Sequence, residues 1–233
     1  MSRISSQISP TLRRVLYSAA RLQSVVPDAV LVGGSAAALH AGHRHSLDHD
    51  HVLVDLVDRY ETVLEAVEAT EGWATSVRAS KAPFTIMGSL YGIEAGLRQL
   101  RRRRPLETVE VSVGPNAVVV APTAAEALRV KAFLVVQRNM VRDFIDVVAL
   151  VDHMGADAAD GALSGIDDYY LDRSRSPGSV LTSLVVALAE PSPRDADVMN
   201  ELSRYKGLDP RWHRWSDVVE ACQSLALRLS GAA

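Results

Sequence analysis

Apolar positions recur at helical spacing through "SPTLRRVLYSAARLQSVV". Ser9 stands there as an N-cap before a proline at the first helical position, so the spacing predicts a helix over residues 10–25. "DAVLVGGSAAALHAG" reads as a short apolar strand, a Gly-Gly turn and an alanine-rich helix. "SLDHDHVLVDL" alternates polar with apolar and carries β-branched residues, the pattern of a strand. "DRYETVLEAVEATEG" is an amphipathic helix with a glycine stop. "WATSVRA", "PFTIMGSLYGIEAGLRQL", "ETVEVSVG" and "AVVVA" are strand-like runs between turn signals. From Pro122 onward the period is helical, opening on Thr123 as N-cap with Glu126 three residues later. Residues 153–179, rich in Gly, Ala, Asp and Ser, read as a linker or irregular connection, and 179–233 as three helices broken at "AEPSPRD" and "YKGLDPRWHRW". The order implies an α+β fold with a small mixed sheet and flanking helices over 1–154 and a C-terminal helical region over 155–233.

Composition narrows this only slightly. A chain of 233 residues, 48% hydrophobic, buries a sizeable core. Net charge is −3, so a polyanion contact must come from a local patch. Cys222 is the one cysteine, which excludes an internal disulfide and a cysteine-built zinc cluster. Its apolar surroundings predict a buried, inert thiol. Without the apolar run of a signal peptide or the ~20 apolar residues of a membrane span, the chain is expected to be soluble and cytoplasmic, with no membrane partner.

Chemistry concentrates in two stretches. In "VGGSAA", Gly33 and Gly34 permit close backbone approach and Ser35 is placed to cap the next helix; N–H groups at such a start suit a phosphate, though a plain turn has the same residues. Asp48 and Asp50, two apart on a strand, share a face. Adjacent carboxylates repel unless a cation neutralises them, and oxygen-only ligands suit Mg²⁺ or Mn²⁺; a solvated strand is the bland alternative. His49 and His51 fall on the opposite face, which argues against a histidine zinc site. His43 and His45 precede the strand. The second stretch is "VKAFLVVQRNMVRDFIDVVAL". Lys131, Arg138, Arg142 and Asp146 share one face of an uninterrupted helix, which could be simply a charged outer surface. On one straight helix Lys131 and Asp146 would lie about 22 Å apart. A break at "RNM", where Asn139 tolerates the left-handed conformation, would let Lys131, Arg142 and Asp146 converge.

"LVGGSAAALHAGHRHSLDHD" resembles the opening motif of the DNA polymerase β-like nucleotidyltransferases, and most the AbiEii/AbiGii-type (MenT-like) toxin branch, with its Gly-Gly-Ser/Thr turn, "HR-x-S" and Asp-x-Asp. "KAFLVVQRNMVRDFID" is similar to the same branch's lysine followed by Arg-Asp-x-x-Asp. The resemblance covers residues ~29–150. It implies a nucleotidyltransferase core in which the Gly33-Gly34-Ser35 turn contacts an NTP and Asp48 and Asp50 hold Mg²⁺. Lys131 would bind triphosphate, Asp146 support the catalytic centre, Arg142 assist with phosphate and Asp143 cap or brace its helix. Such enzymes usually add a third carboxylate as base; no aspartate stands there, so Glu94 is the expected substitute, with Glu107 and Glu110 as alternatives. If the acceptor is RNA, as in transfer to the 3′ end of tRNA by a toxin with a cognate antitoxin, its backbone would meet the basic block Arg98, Arg101, Arg102, Arg103 and Arg104, which otherwise reads as a solvated turn. A small molecule or protein hydroxyl as acceptor, and an inactive nucleotide- or partner-binding module, remain open. Trp212 and Trp215, three apart, are expected to pack rather than stack on a ligand.

Overall fold

In the computed structural model, which describes residues 8–170 and 178–231, the chain divides into two compact units, Met1–Thr123 and Ala124–Ala233. The division falls ahead of the helices at 124–154 that the sequence reading placed with the first part. Those helices pack against one another and against later helices of the second unit.

The first unit opens with α1 (Pro10–Val25), whose cap is as the sequence implies: the Ser9 hydroxyl accepts from the Leu12 N–H at 3.2 Å. Then follow β1 (Val30–Val32), α2 (Gly33–Ala41), β2 (His49–Leu53) and α3 (Tyr60–Glu68). β3 (Trp73–Thr75), β4 (Thr85–Leu90) and β5 (Ile93–Gln99) complete a five-stranded mixed sheet of order β1-β2-β5-β4-β3. β2 and β5 run parallel at its centre, with Asp50 level with Gly96. β6 (Thr108–Gly114) and β7 (Ala117–Pro122) form a separate two-stranded sheet.

Alternation divides the large sheet into a core face and an open face. Leu53, Ile86, Leu90, Ala95 and Leu97 are buried in one cluster with Leu22 of α1 and Val63 of α3. His49 and His51 take the same buried side of β2, while Asp50 and Val52 alternate outward. His49 sits beside the Ser18 hydroxyl of α1 at 2.9 Å. Burial pushes its imidazole down to about 4, against a weaker opposing pull from Asp48. Burial and the adjacent His49 hold His51 well below the ordinary histidine value. Both rings are therefore neutral core residues.

The second unit is helical: α4 (Ala124–Arg138), α5 (Val141–Met154), α6 (Ala156–Ser164), α7 (Asp167–Tyr170), α8 (Val180–Ala189) and α9 (Trp215–Leu229), with short 3₁₀ segments at Ala196–Arg204 and Pro210–Trp212. The expected irregular connection at 153–179 is thus corrected over 156–170. Gly155 and Gly165 bound a helix whose Ala159, Ala162 and Leu163 are buried at helical spacing; residues 171–177 lie outside the described residues. Trp212 is buried and Trp215 meets Phe144 edge-on at 5.9 Å, so both pack as expected. Cys222 is fully buried, which pushes its thiol up to about 12. It should resist alkylation by iodoacetamide at about pH 8 and react promptly in denaturant; labelling of the folded chain at the denatured rate would contradict this packing.

Candidate functional site

The open face of the large sheet carries the carboxylate pair. Asp48 lies one residue before β2 and is exposed, and Asp50 is half-buried on the strand. Gly33 begins α2 with φ +77°, a conformation that favours glycine. Ser35 does not cap this helix. It is the helix's third residue, and its hydroxyl donates to the Asp48 carbonyl at 2.5 Å, tying the loop that carries Asp48 to the helix start. Ser46 donates to Asp48 Oδ1 at 3.1 Å. The N-terminus of α2, Asp48 and Asp50 are thus held as one local constellation.

Two arginines also belong to it, Arg44 and Arg98. Arg44, in the "HR-x-S" segment, is buried; a Cβ on Gly34 would lie 2.6 Å from its Nη2 and 2.9 Å from Ser46 Oγ. Gly34 thus admits the close approach of the Arg44 side chain, and a positive charge stands at the helix start. Arg98, expected in a solvent-facing RNA patch, instead donates from Nε to Asp50 Oδ1 at 3.2 Å. The rest of the basic block also divides: Arg102 is buried and donates to the Arg104 and Pro105 carbonyls, and Arg104 pairs with Glu107 at 3.6 Å. Only a local pattern of side-chain burial, invisible to a run of like charges, distinguishes these arginines.

Glu94 is exposed on β5, two residues before Gly96 and on the same open face as Asp50. By the parallel register its position is level with Asp48. Glu110 belongs to the two-stranded sheet and Glu107 precedes it, so neither shares that face. Among the described residues no three acidic, histidine or cysteine side chains converge as a metal-binding group. The donor set is therefore two carboxylates, and the Asp50 side chain lies over the bare Gly96, where a Cβ would stand 2.4 Å from Asp50 Oδ1. Two hard oxygen donors on a solvent-reachable sheet face fit a Mg²⁺ or Mn²⁺ ion that takes its remaining ligands from water and phosphate. Gly96→Ala should weaken Mn²⁺ binding about tenfold by displacing Asp50, whereas Gly161→Ala, which meets nothing within 4 Å, should leave it unchanged; isothermal titration compares them.

The second motif lies in the other unit. α4 ends at Arg138, Asn139 takes φ +52°, and α5 starts at Val141, so the chain breaks where the sequence reading required. The break is fastened: Asn139 Nδ2 donates to the Ser192 carbonyl, Arg194 N–H to the Asn139 carbonyl, and Asp195 accepts from the Val141 N–H at 2.7 Å. Lys131 and Asp146 meet at 2.6 Å, and Lys131 lies 3.8 Å from Asp143. Arg138 embraces Asp143 with two bonds of 2.6 Å, so Asp143 braces the two helices while Asp195 supplies the cap. Arg142 does not join them; it is exposed on α5.

No protein-family model matches the chain. The heme uptake protein MmpL11 of Mycobacterium tuberculosis is 29% identical over 245 residues, 95% of this chain and 23% of that protein. The chain thus spans about a quarter of the length of the curated relatives it matches, and among the described residues no helix is long and apolar enough to cross a membrane. Two solved structures share its fold. JHP933 from Helicobacter pylori superposes with a TM-score of 0.50 at 14% identity, over 100% of this chain and 94% of that one. The nucleotidyltransferase toxin MenT4 from Mycobacterium tuberculosis H37Rv reaches a TM-score of 0.61 at 15% identity, over 98% and 86%. The chain has the nucleotidyltransferase fold, a mixed five-stranded sheet with flanking and C-terminal helices. Of these two structures, MenT4 is the one its fold is more similar to.

Proposed function

We propose that the protein is a Mg²⁺-dependent nucleotidyltransferase that moves a nucleotidyl group from an NTP to an acceptor hydroxyl. The observation that carries this is the pairing of Asp48 and Asp50 on an open sheet face beside a glycine-started helix and the buried Arg44. The helix N–H groups and Arg44 bind triphosphate oxygens. Asp48 and Asp50 hold the cation, which when bound neutralises phosphate charge and polarises the α-phosphate. The acceptor oxygen forms a bond to the α-phosphorus, the bond to the pyrophosphate breaks, and Glu94, on the same face, accepts the acceptor's proton. The resemblance gives Lys131 and Arg142 triphosphate binding and Asp146 a supporting role, and these enter the proposal on the sequence motif alone. It likewise supplies the acceptor and setting: the 3′ end of tRNA, a toxin and a cognate antitoxin, with Arg101, Arg103 and Arg104 as exposed arginines of the basic block for RNA.

Incubation with labelled NTPs, Mg²⁺ and total tRNA, wild type beside Asp48→Ala, tests the proposal. Label in RNA that Asp48→Ala abolishes supports it fully. Label in a protein or small molecule keeps the reaction and replaces the acceptor. Thermal stabilisation by NTP with no transfer at all overturns it in favour of a binding module, the reading that a two-carboxylate donor set favours.

A further inference from the structure

The Arg98–Asp50 pair occupies the atom that a cation would need. Asp50 on β2 and Arg98 on β5 are not level: the register sets Asp50 against Gly96 and Val52 against Arg98. The arginine side chain runs back along the open face, and the bare Gly96 leaves room for the pair; a Cβ there would stand 2.4 Å from Asp50 Oδ1 and 2.8 Å from Met87 Sδ. Nε reaches Asp50 Oδ1 at 3.2 Å, and Nη2 reaches Met87 Sδ at 3.3 Å, a weak acceptor. Neither partner is sealed in, with side-chain exposures of 44% for Arg98 and 30% for Asp50. The interaction is therefore solvent-screened and exchangeable rather than a fixed strut.

We infer that Arg98 is a counter-ion which holds Asp50 until nucleotide arrives and then transfers to a phosphate oxygen as the divalent cation takes the carboxylate. This rests on the nucleotidyltransferase reading. A cation arriving alone must displace the guanidinium from Oδ1 or share Asp50 with a like charge, and both weaken its binding. A triphosphate changes the balance, because its oxygens match the planar guanidinium fork better than a thioether and half of one carboxylate. Arg98 thereby makes the site take cation and nucleotide together and discriminates against free cation.

Titration of Mn²⁺ alone into the full chain, followed by the electron paramagnetic resonance of free Mn²⁺, reads this directly. Arg98→Met should bind Mn²⁺ about tenfold tighter than wild type, while its KM for NTP rises about tenfold; Arg98→Lys should fall between. A gain in cation affinity is the opposite of what loss of structure produces. Mn²⁺ affinity that depends on Asp50 but is equal or weaker in Arg98→Met overturns the role of Arg98 and leaves the nucleotidyltransferase reading intact. No saturable Mn²⁺ binding in wild type, Arg98→Met or Asp50→Asn overturns both.

Discussion

Lys131→Met will lower the stability of the helical unit by about 3–5 kcal/mol, because it strands buried carboxylate charge. The Lys131 side chain is 3% exposed and those of Asp143 and Asp146 are 0%, so no water compensates when the ammonium is removed. Its named groups balance: two carboxylates, one ammonium and the Arg138 guanidinium at its rim. Methionine fills a similar volume, which confines the loss to electrostatics. Pairing the change with Asp146→Leu restores neutrality, since Arg138 still answers Asp143; the double variant should recover at least half of the loss. Thermal melts at fixed pH decide the matter, with the single variant about 10–20 °C below wild type. A single variant within 1 kcal/mol of wild type would show that water compensates the stranded charge.

That network is also where the sequence was most informative. The helix-length argument demanded a break between Lys131 and Asp146, and Asn139, the residue tolerant of positive φ, supplies it. The separation of Asp50 from His49 and His51 followed equally from strand alternation, which depends on nothing beyond the backbone. Other features turn on tertiary contacts that periodicity does not encode. The sequence places Ser35 at a helix cap, yet the helix begins two residues before it, at Gly33, and frees the hydroxyl for the Asp48 carbonyl. Arg98 and Arg102 were read as one charge run with their neighbours, but one belongs to a strand facing Asp50 and the other is folded under its own turn. The alanine-rich 156–164 segment resembled a linker because small residues weaken the amphipathic signal, although Ala159 and Ala162 are buried for the same reason of size.

Asp50→Asn should have the converse profile: nucleotidyl transfer reduced about a thousandfold and stability changed by less than about 1 kcal/mol. The pair that it breaks, Asp50 with Arg98, is partly exposed, so its loss costs little. The isosteric amide keeps the packing over Gly96 and can still accept a hydrogen bond from Arg98. What it removes is one of the two negative charges of the proposed cation site, and about 4 kcal/mol of transition-state stabilisation corresponds to that thousandfold loss. Asp48→Asn should behave alike, and the double variant should be scarcely worse than either single one, because residues that serve one cation fail as a unit. Single-turnover transfer rates with saturating NTP, set beside melting temperatures for each protein, separate the two kinds of damage. Transfer persisting within tenfold of wild type in Asp50→Asn would remove the carboxylate pair from the chemistry. A loss of transfer matched by a large drop in melting temperature would mean instead that Asp50 maintains the sheet, which its place on the open face argues against.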